Sequence, residues 1–141
     1  MTAEDDVRAA SKEFYAALNR MLVGDSSSLG DIWSHSATVT ALHPIGDWHV
    51  GWRAVKASFD EVAKASTGGH VEMTDQLIRV AGDSAYEVGV ETATFAIAGQ
   101  PLTVNSRVTN IYQRESGAWK IVHHHGDKAS GIMEALERSR T

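Results

Sequence analysis

Past Gly69 the apolar pattern of the chain changes period, from about 3.6 residues to 2. Four extended segments follow, over residues 71–81, 85–98, 102–114 and 119–125, separated by Gly82-Asp83, Gly99-Gln100-Pro101 and Glu115-Ser116-Gly117. Connections this short allow only hairpins, so consecutive segments are antiparallel neighbours. Strands of ten or more residues accumulate right-handed twist and bend, which gives the sheet a concave side.

The residues before this sheet read as helices. From Glu4 to Leu22, Val7, Ala10, Phe14, Ala17, Leu18 and Met21 recur at three- and four-residue steps, with Arg8, Lys12, Glu13 and Arg20 between them, and Gly24 closes the helix. Ser26 to Ser28 offer N-caps for a short second helix reaching about Trp33. Residues 37–42 and Trp48-His49-Val50, either side of Pro44 and Gly46-Asp47, read as a short hairpin. After Gly51, the residues Trp52, Val55, Phe59, Val62 and Ser66 share one helical face, and Gly68-Gly69 ends that third helix; residues 132–138 read as a last helical turn or two. Each helix carries one apolar stripe that must be buried, and the concave face is the available surface. The expected architecture is α+β: one domain over residues 1–141, a cone-shaped curved antiparallel sheet with the N-terminal helices packed on its concave face.

Composition narrows the function. The chain has no cysteine, which removes disulfides, thiolate nucleophiles and cysteine-held metals. A net charge of −5 without a Lys/Arg cluster argues against nucleic acid and anionic membranes, and no apolar run is long enough to span a bilayer. The acidic start Met1-Thr2-Ala3-Glu4-Asp5-Asp6 is unlike an export signal, so the cytoplasm is the expected location. A small hydrophobic or weakly polar molecule is the expected partner. Neither a G-x-S-x-G nor a phosphate-loop motif is present.

On the last strand, alternation places Trp119, Ile121, His123 and His125 on one face, expected to be the interior, and Lys120, Val122 and His124 on the other. His123 and His125 are ligand contacts or passive lining; without an accompanying carboxylate spacing, no metal is expected. An inward Arg107 would need a carboxylate or an anionic ligand, and an outward one would sit on the convex face. Trp33, Trp48 and Trp52 fall around the expected mouth, where they clamp a hydrophobic ligand or cap the core.

Three stretches, Trp33-Ser34-His35-Ser36-Ala37-Thr38-Val39, Gly51-Trp52-Arg53-Ala54-Val55 and Gly117-Ala118-Trp119-Lys120-Ile121-Val122-His123-His124-His125, resemble the nuclear transport factor 2-like superfamily, in particular its SnoaL-like members. The last stretch is also similar to the association domain of calmodulin-dependent kinases. The resemblance implies a ligand held in the cone and a homodimer formed through the convex sheet, and apolar area on an uncovered sheet face independently favours a dimer. The superfamily houses isomerases, dehydratases, epoxide hydrolases, cyclases and non-catalytic assembly modules, so function rests on the site.

Set against the ketosteroid isomerases, Tyr15 matches the tyrosine donor, His43 in His43-Pro44-Ile45-Gly46 replaces the aspartate base, and Asn110 falls where a buried acid would stand. The epoxide hydrolase set is missing, since its strand reads Val90-Glu91-Thr92 here. The histidine-serine ending of iota-class carbonic anhydrases is replaced by Gly126-Asp127. Two readings follow. One is an isomerase, cyclase or lyase without a cofactor, using His43, Tyr15 and Asn110 with Trp33, Trp48, Trp52, Arg107, His123 and His125 around the ligand. The other is a non-catalytic binding or dimeric assembly module.

Overall fold

A computed structural model describes residues 2–44, 46–128 and 132–140. Helix α1, Ala3–Met21, opens with a capping box: the Thr2 hydroxyl accepts from the Asp5 amide and the Asp5 carboxylate accepts from the Thr2 amide, both at 3.1 Å. Glu4, Asp5 and Asp6 in its first turn and Arg20 in its last complement the helix dipole. Its stripe of Val7, Phe14, Ala17, Leu18 and Met21 is buried, each large side chain contributing about 1.5–3 kcal/mol. A single 3-10 turn, Ser27–Asp31, stands where a short helix is expected. Then come β1 (Thr40–Leu42), β2 (Trp48–Val50), α2 (Trp52–Ala65), β3 (Ser66–Ala81), β4 (Ser84–Ile97), β5 (Gln100–Glu115), β6 (Ala118–Gly126) and α3 (Ile132–Ser139).

The six strands form one curved, unclosed sheet in the order β2-β1-β6-β5-β4-β3. The four long strands are antiparallel neighbours, as the short connections require. Ala98-Gly99 and Ser116-Gly117 have positive φ at both turn positions, the backbone that matches strand twist across a two-residue hairpin. One pairing was not legible in the sequence: β1 lies parallel to β6, with Thr40 opposite His123 and Leu42 opposite His125. β3 also begins earlier than the glycine pair suggests. The Ser66 hydroxyl caps the Val62 carbonyl at 2.7 Å and ends α2, while Gly68 and Gly69 sit at a bulge inside the strand.

α1 is tied to β3 by Asn19, whose amide donates to the Val71 carbonyl at 3.1 Å and accepts from the Val71 amide at 2.7 Å. α1 and α2 bury their stripes in a core shared with the inner row of the sheet, where Val71, Ile78, Ala85, Ala93, Ile97, Val104, Tyr112 and Ile121 lie. Ile132, Ala135 and Leu136 of α3 join the same core.

Gly89 stands in the inner row of β4 between Glu87 and Glu91, beside a bulge in β3. A Cβ there would collide with the Met73 sulfur and lie 2.8 Å from the Thr74 carbonyl oxygen. Gly89→Ala is expected to lower stability by about 1–3 kcal/mol, read as a lower urea midpoint. An unchanged midpoint would show that the bulge yields freely.

Candidate functional site

The inner face of β4 carries two carboxylates four residues apart, Glu87 and Glu91, and both are buried. Glu87 is fully enclosed. Its Oε1 accepts from the Asn110 amide at 3.0 Å and the Tyr112 hydroxyl at 2.9 Å, and Gln76 donates to its Oε2. Three donors converging on one group suit an ionised carboxylate, which accepts and does not donate. Asn110 also donates to the Tyr15 oxygen at 3.3 Å, and Tyr15 donates to Glu91 Oε2 at 2.6 Å. On the other side of Asn110, His124 Nδ1 lies 2.6 Å from Oδ1. Gln76 reaches on to Ser11 and Arg8 of α1. The network therefore joins α1 to β3, β4, β5 and β6.

Glu91 faces a cavity of about 90 Å³ inside the cone. Leu18, Met21, Phe59, Phe95, Ile97 and Val104 supply apolar wall, and His43 and His124 supply the other polar surface. The two imidazole rings are 6.1 Å apart, and His43 packs edge-on against Phe59 at 4.7 Å. Burial acts in opposite senses on the two kinds of group because it penalises charge in each. The Glu91 carboxyl is pushed up to about 7 by burial, with the Tyr15 hydrogen bond opposing and the charge of Glu87 adding. The His43 imidazole is pushed down to about 4 by burial, and His49 acts in the same direction. Burial also holds His124 well below the ordinary histidine value, and both burial and Glu91 hold the Tyr15 phenol well above its own.

The structure brings some of the expected residues together and disperses others. Tyr15 and Asn110 belong to the network but stand behind Glu91 and His124, with their donors engaged by carboxylates rather than free for a ligand. His43 reaches the cavity wall.

The expected parity of the last strand is reversed at its end. Tyr112 pairs with Ile121 but Ile111 pairs with His123, so Val122 is an extra residue in β6 and alternation shifts by one beyond it. Trp119 and Ile121 face inward as expected, whereas His124 faces the cavity and His123 and His125 take the outer row. His123 bonds there to the Thr40 hydroxyl at 2.6 Å.

Arg107 is also on the outer face, its side chain 85% exposed and paired with Asp127 at 2.6 Å. Trp33 is a core residue, Trp52 stacks between Trp33 and His35, and Trp48 is exposed on β2; none lines the cavity.

Glu87, Glu91 and His124 are the residues that the sequence reading leaves out of the site. Two carboxylates at one parity of a strand, shared with Ala85, Ala93 and Ile97, were the available signal. Among the described residues no three histidine, aspartate or glutamate side chains sit close enough to hold a metal, and no helix is long and apolar enough to cross a membrane.

A family model described as a SnoaL-like domain matches residues 7–127. Among solved structures, a protein described as a candidate dehydratase of the NTF2-like family from Streptomyces avermitilis aligns at TM-score 0.78 and 22% identity. That alignment covers 89% of this chain and 95% of the other. A candidate aromatic ring hydroxylase from Novosphingobium aromaticivorans aligns at TM-score 0.77 and 18% identity, covering 94% of this chain and 95% of the other. The CaMKII hub of S. rosetta aligns at TM-score 0.73 and 20% identity, covering 92% and 98%. At these identities the likeness is one of fold, the NTF2-like cone. No curated protein matches the sequence.

The pKa shifts make stability depend on pH with opposite signs. The raised Glu91 value contributes stability that is fully present below about 4.5 and is lost as pH rises through about 7; the lowered His43 value contributes stability that is present above 6.5 and is lost as pH falls through about 4. Glu91→Gln removes the first contribution while still accepting from Tyr15. The variant is expected to gain on the native chain by on the order of 3 kcal/mol between pH 4.5 and pH 8, measured by thermal or urea unfolding across that range. A difference that does not vary with pH would mean that Glu91 titrates like an exposed carboxylate.

Proposed function

We propose that this chain, which belongs to the SnoaL-like domain family, binds a small molecule in its cone and transfers a proton there, with Glu91 as the acid–base group. The observation that carries this reading is the Glu91 carboxyl on the wall of a mainly apolar cavity, its pKa lifted to about 7. A general base works best when its pKa lies near the working pH, because it is then both available and strong enough. His43 does not meet that condition: at about 4 it is neutral at pH 7 and a weak base, so its part is to hydrogen-bond the ligand. Tyr15 and Asn110 act through Glu91 and His124 and are positioning residues. Abstraction of a proton beside a polar group and its return elsewhere would serve an isomerisation, a cyclisation or an elimination. The fold likeness to a protein described as a candidate dehydratase is in keeping with the last.

The Glu91 carboxyl signal, followed by isotope-edited infrared spectroscopy, is expected to titrate near pH 7. Tyr15→Phe should move that midpoint upward, because the hydrogen bond that favours the carboxylate is gone. Once a turnover assay is in hand, Glu91→Gln should lower kcat by roughly 10²–10⁴-fold. A midpoint near 4.5, or full turnover in Glu91→Gln, would exclude Glu91 as the acid–base group.

The outer face of the sheet supports a second proposal, self-association. Leu77 and Tyr86 are exposed there, and the register sets Leu77 opposite Val88 and Tyr86 opposite Ile111, a contiguous apolar patch. Tyr86→Arg is expected to convert a dimer to a folded monomer in sedimentation equilibrium. A native chain that is monomeric at high micromolar concentration would count against the patch as an interface.

A further inference from the structure

Among the described residues, the side-chain hydrogen-bond donors around the cavity are all committed to protein acceptors, and the direction of each bond is fixed by its neighbours. Tyr15 donates to Glu91 at 2.6 Å. The Asn110 amide group must turn its nitrogen toward the Glu87 carboxylate, which leaves Oδ1 facing His124. His124 therefore carries its proton on Nδ1 and has a bare lone pair on Nε2. Ser58 has one hydroxyl proton, and it goes to the Val55 carbonyl at 2.6 Å. The His43–Ser58 contact at 2.6 Å is then donated by His43 Nε2, and His43 Nδ1 is a second lone pair.

What remains is an acceptor set. With Glu91 ionised, its second oxygen, His124 Nε2 and His43 Nδ1 are free to accept hydrogen bonds, and among the described residues none of them has a partner. Nor are they sealed off. Among the described residues, the buried side-chain atom lacking both a partner and open space is Trp33 Nε1. The rest of the wall is almost wholly apolar, and the space of about 90 Å³ lies far below the roughly 300–1,000 Å³ of sites for drug-sized ligands.

We infer that the cavity selects its ligand through a hydrogen-bond donor, taking a small, mainly apolar alcohol or amine and discriminating against the ketone or carboxylate of the same shape. This rests on the cavity being a ligand site, and it is independent of proton transfer. A ketone brings another acceptor and leaves the lone pairs of Glu91 and both imidazoles unmatched. A buried site of that kind discriminates strongly, because unpaired polar groups keep their full desolvation penalty. A carboxylate would add a second anion beside Glu91. A hydroxyl or ammonium group supplies what the wall lacks, and a body no larger than one small ring suits the space.

The test uses four probes of one shape, cyclopentanol, cyclopentylamine, cyclopentanone and cyclopentanecarboxylate, titrated into the full chain at pH 8, where Glu91 is mostly ionised. Binding is followed by amide chemical shifts and checked by thermal shift. The alcohol, the amine or both are expected to bind with Kd at least tenfold below those of the ketone and the carboxylate. Comparing the first two distinguishes a neutral donor from a cation. Glu91→Gln places an amide donor on the same wall and should narrow the gap for the ketone. Equal or tighter binding of the ketone or the carboxylate at the cavity residues would overturn the donor rule and leave the ligand site standing. Binding of none of the four would overturn the inferred ligand class. The separate titration of Glu91 near pH 7 would still decide the acid–base reading.

Discussion

Glu87 has no contact with solvent, and the interior of the protein is organised around keeping it partnered. A buried carboxylate without partners would cost several kcal/mol. Here Gln76 comes from β3, Asn110 and Tyr112 come from β5, and Ser11 of α1 holds Gln76 in place. Because Glu87 accepts, Asn110 must present its nitrogen to it, and that one orientation sets the tautomer of His124. The same amide donates to Tyr15, whose hydroxyl is thereby turned to Glu91. A charge that never meets the cavity thus decides what the cavity wall offers.

The second constraint is the extra residue in β6. Without the bulge at Val122, strict alternation from Trp119 and Ile121 would carry His123 and His125 inward and His124 out. With it, one imidazole enters the core beside Phe14 and Asn110, and the other two join the outer row. The parallel pairing of β1 with this part of β6 holds the shifted segment, and the Thr40–His123 bond ties the two strands on the outer side.

The apolar cavity gives the groups beside it a shared tendency toward neutrality. Glu91 is held in reach of both its forms near pH 7, whereas His43 and His124 stay uncharged. A carboxyl between its two states, flanked by neutral imidazoles whose tautomers are set from behind, is chemically different from the histidine base and free donors that the ketosteroid isomerase resemblance implies. The difference comes from two glutamates on β4 that take up the donors of Tyr15 and Asn110.

Much of the fold was legible because its signals are local. The α1 stripe, the glycine-containing turns and the four long alternating segments each depend on residues a few positions apart. The roles of Tyr15 and His43, by contrast, came only from the ketosteroid isomerase resemblance. The faces of the strands were not legible. In the middle of β4 the even row is apolar, with Tyr86, Val88 and Val90, yet the odd row with Glu87 and Glu91 faces inward. Alternation states that a strand has two faces; only the packing of α1 and α2 decides which one is covered. The bulge at Val122 is equally silent, since one inserted residue changes no composition and no period short of the partner strand. The sequence by itself therefore determined the helices, the hairpins and the cone. The tertiary structure decided which carboxylates and which histidine the cone encloses, because that depends on pairings between residues far apart in the chain.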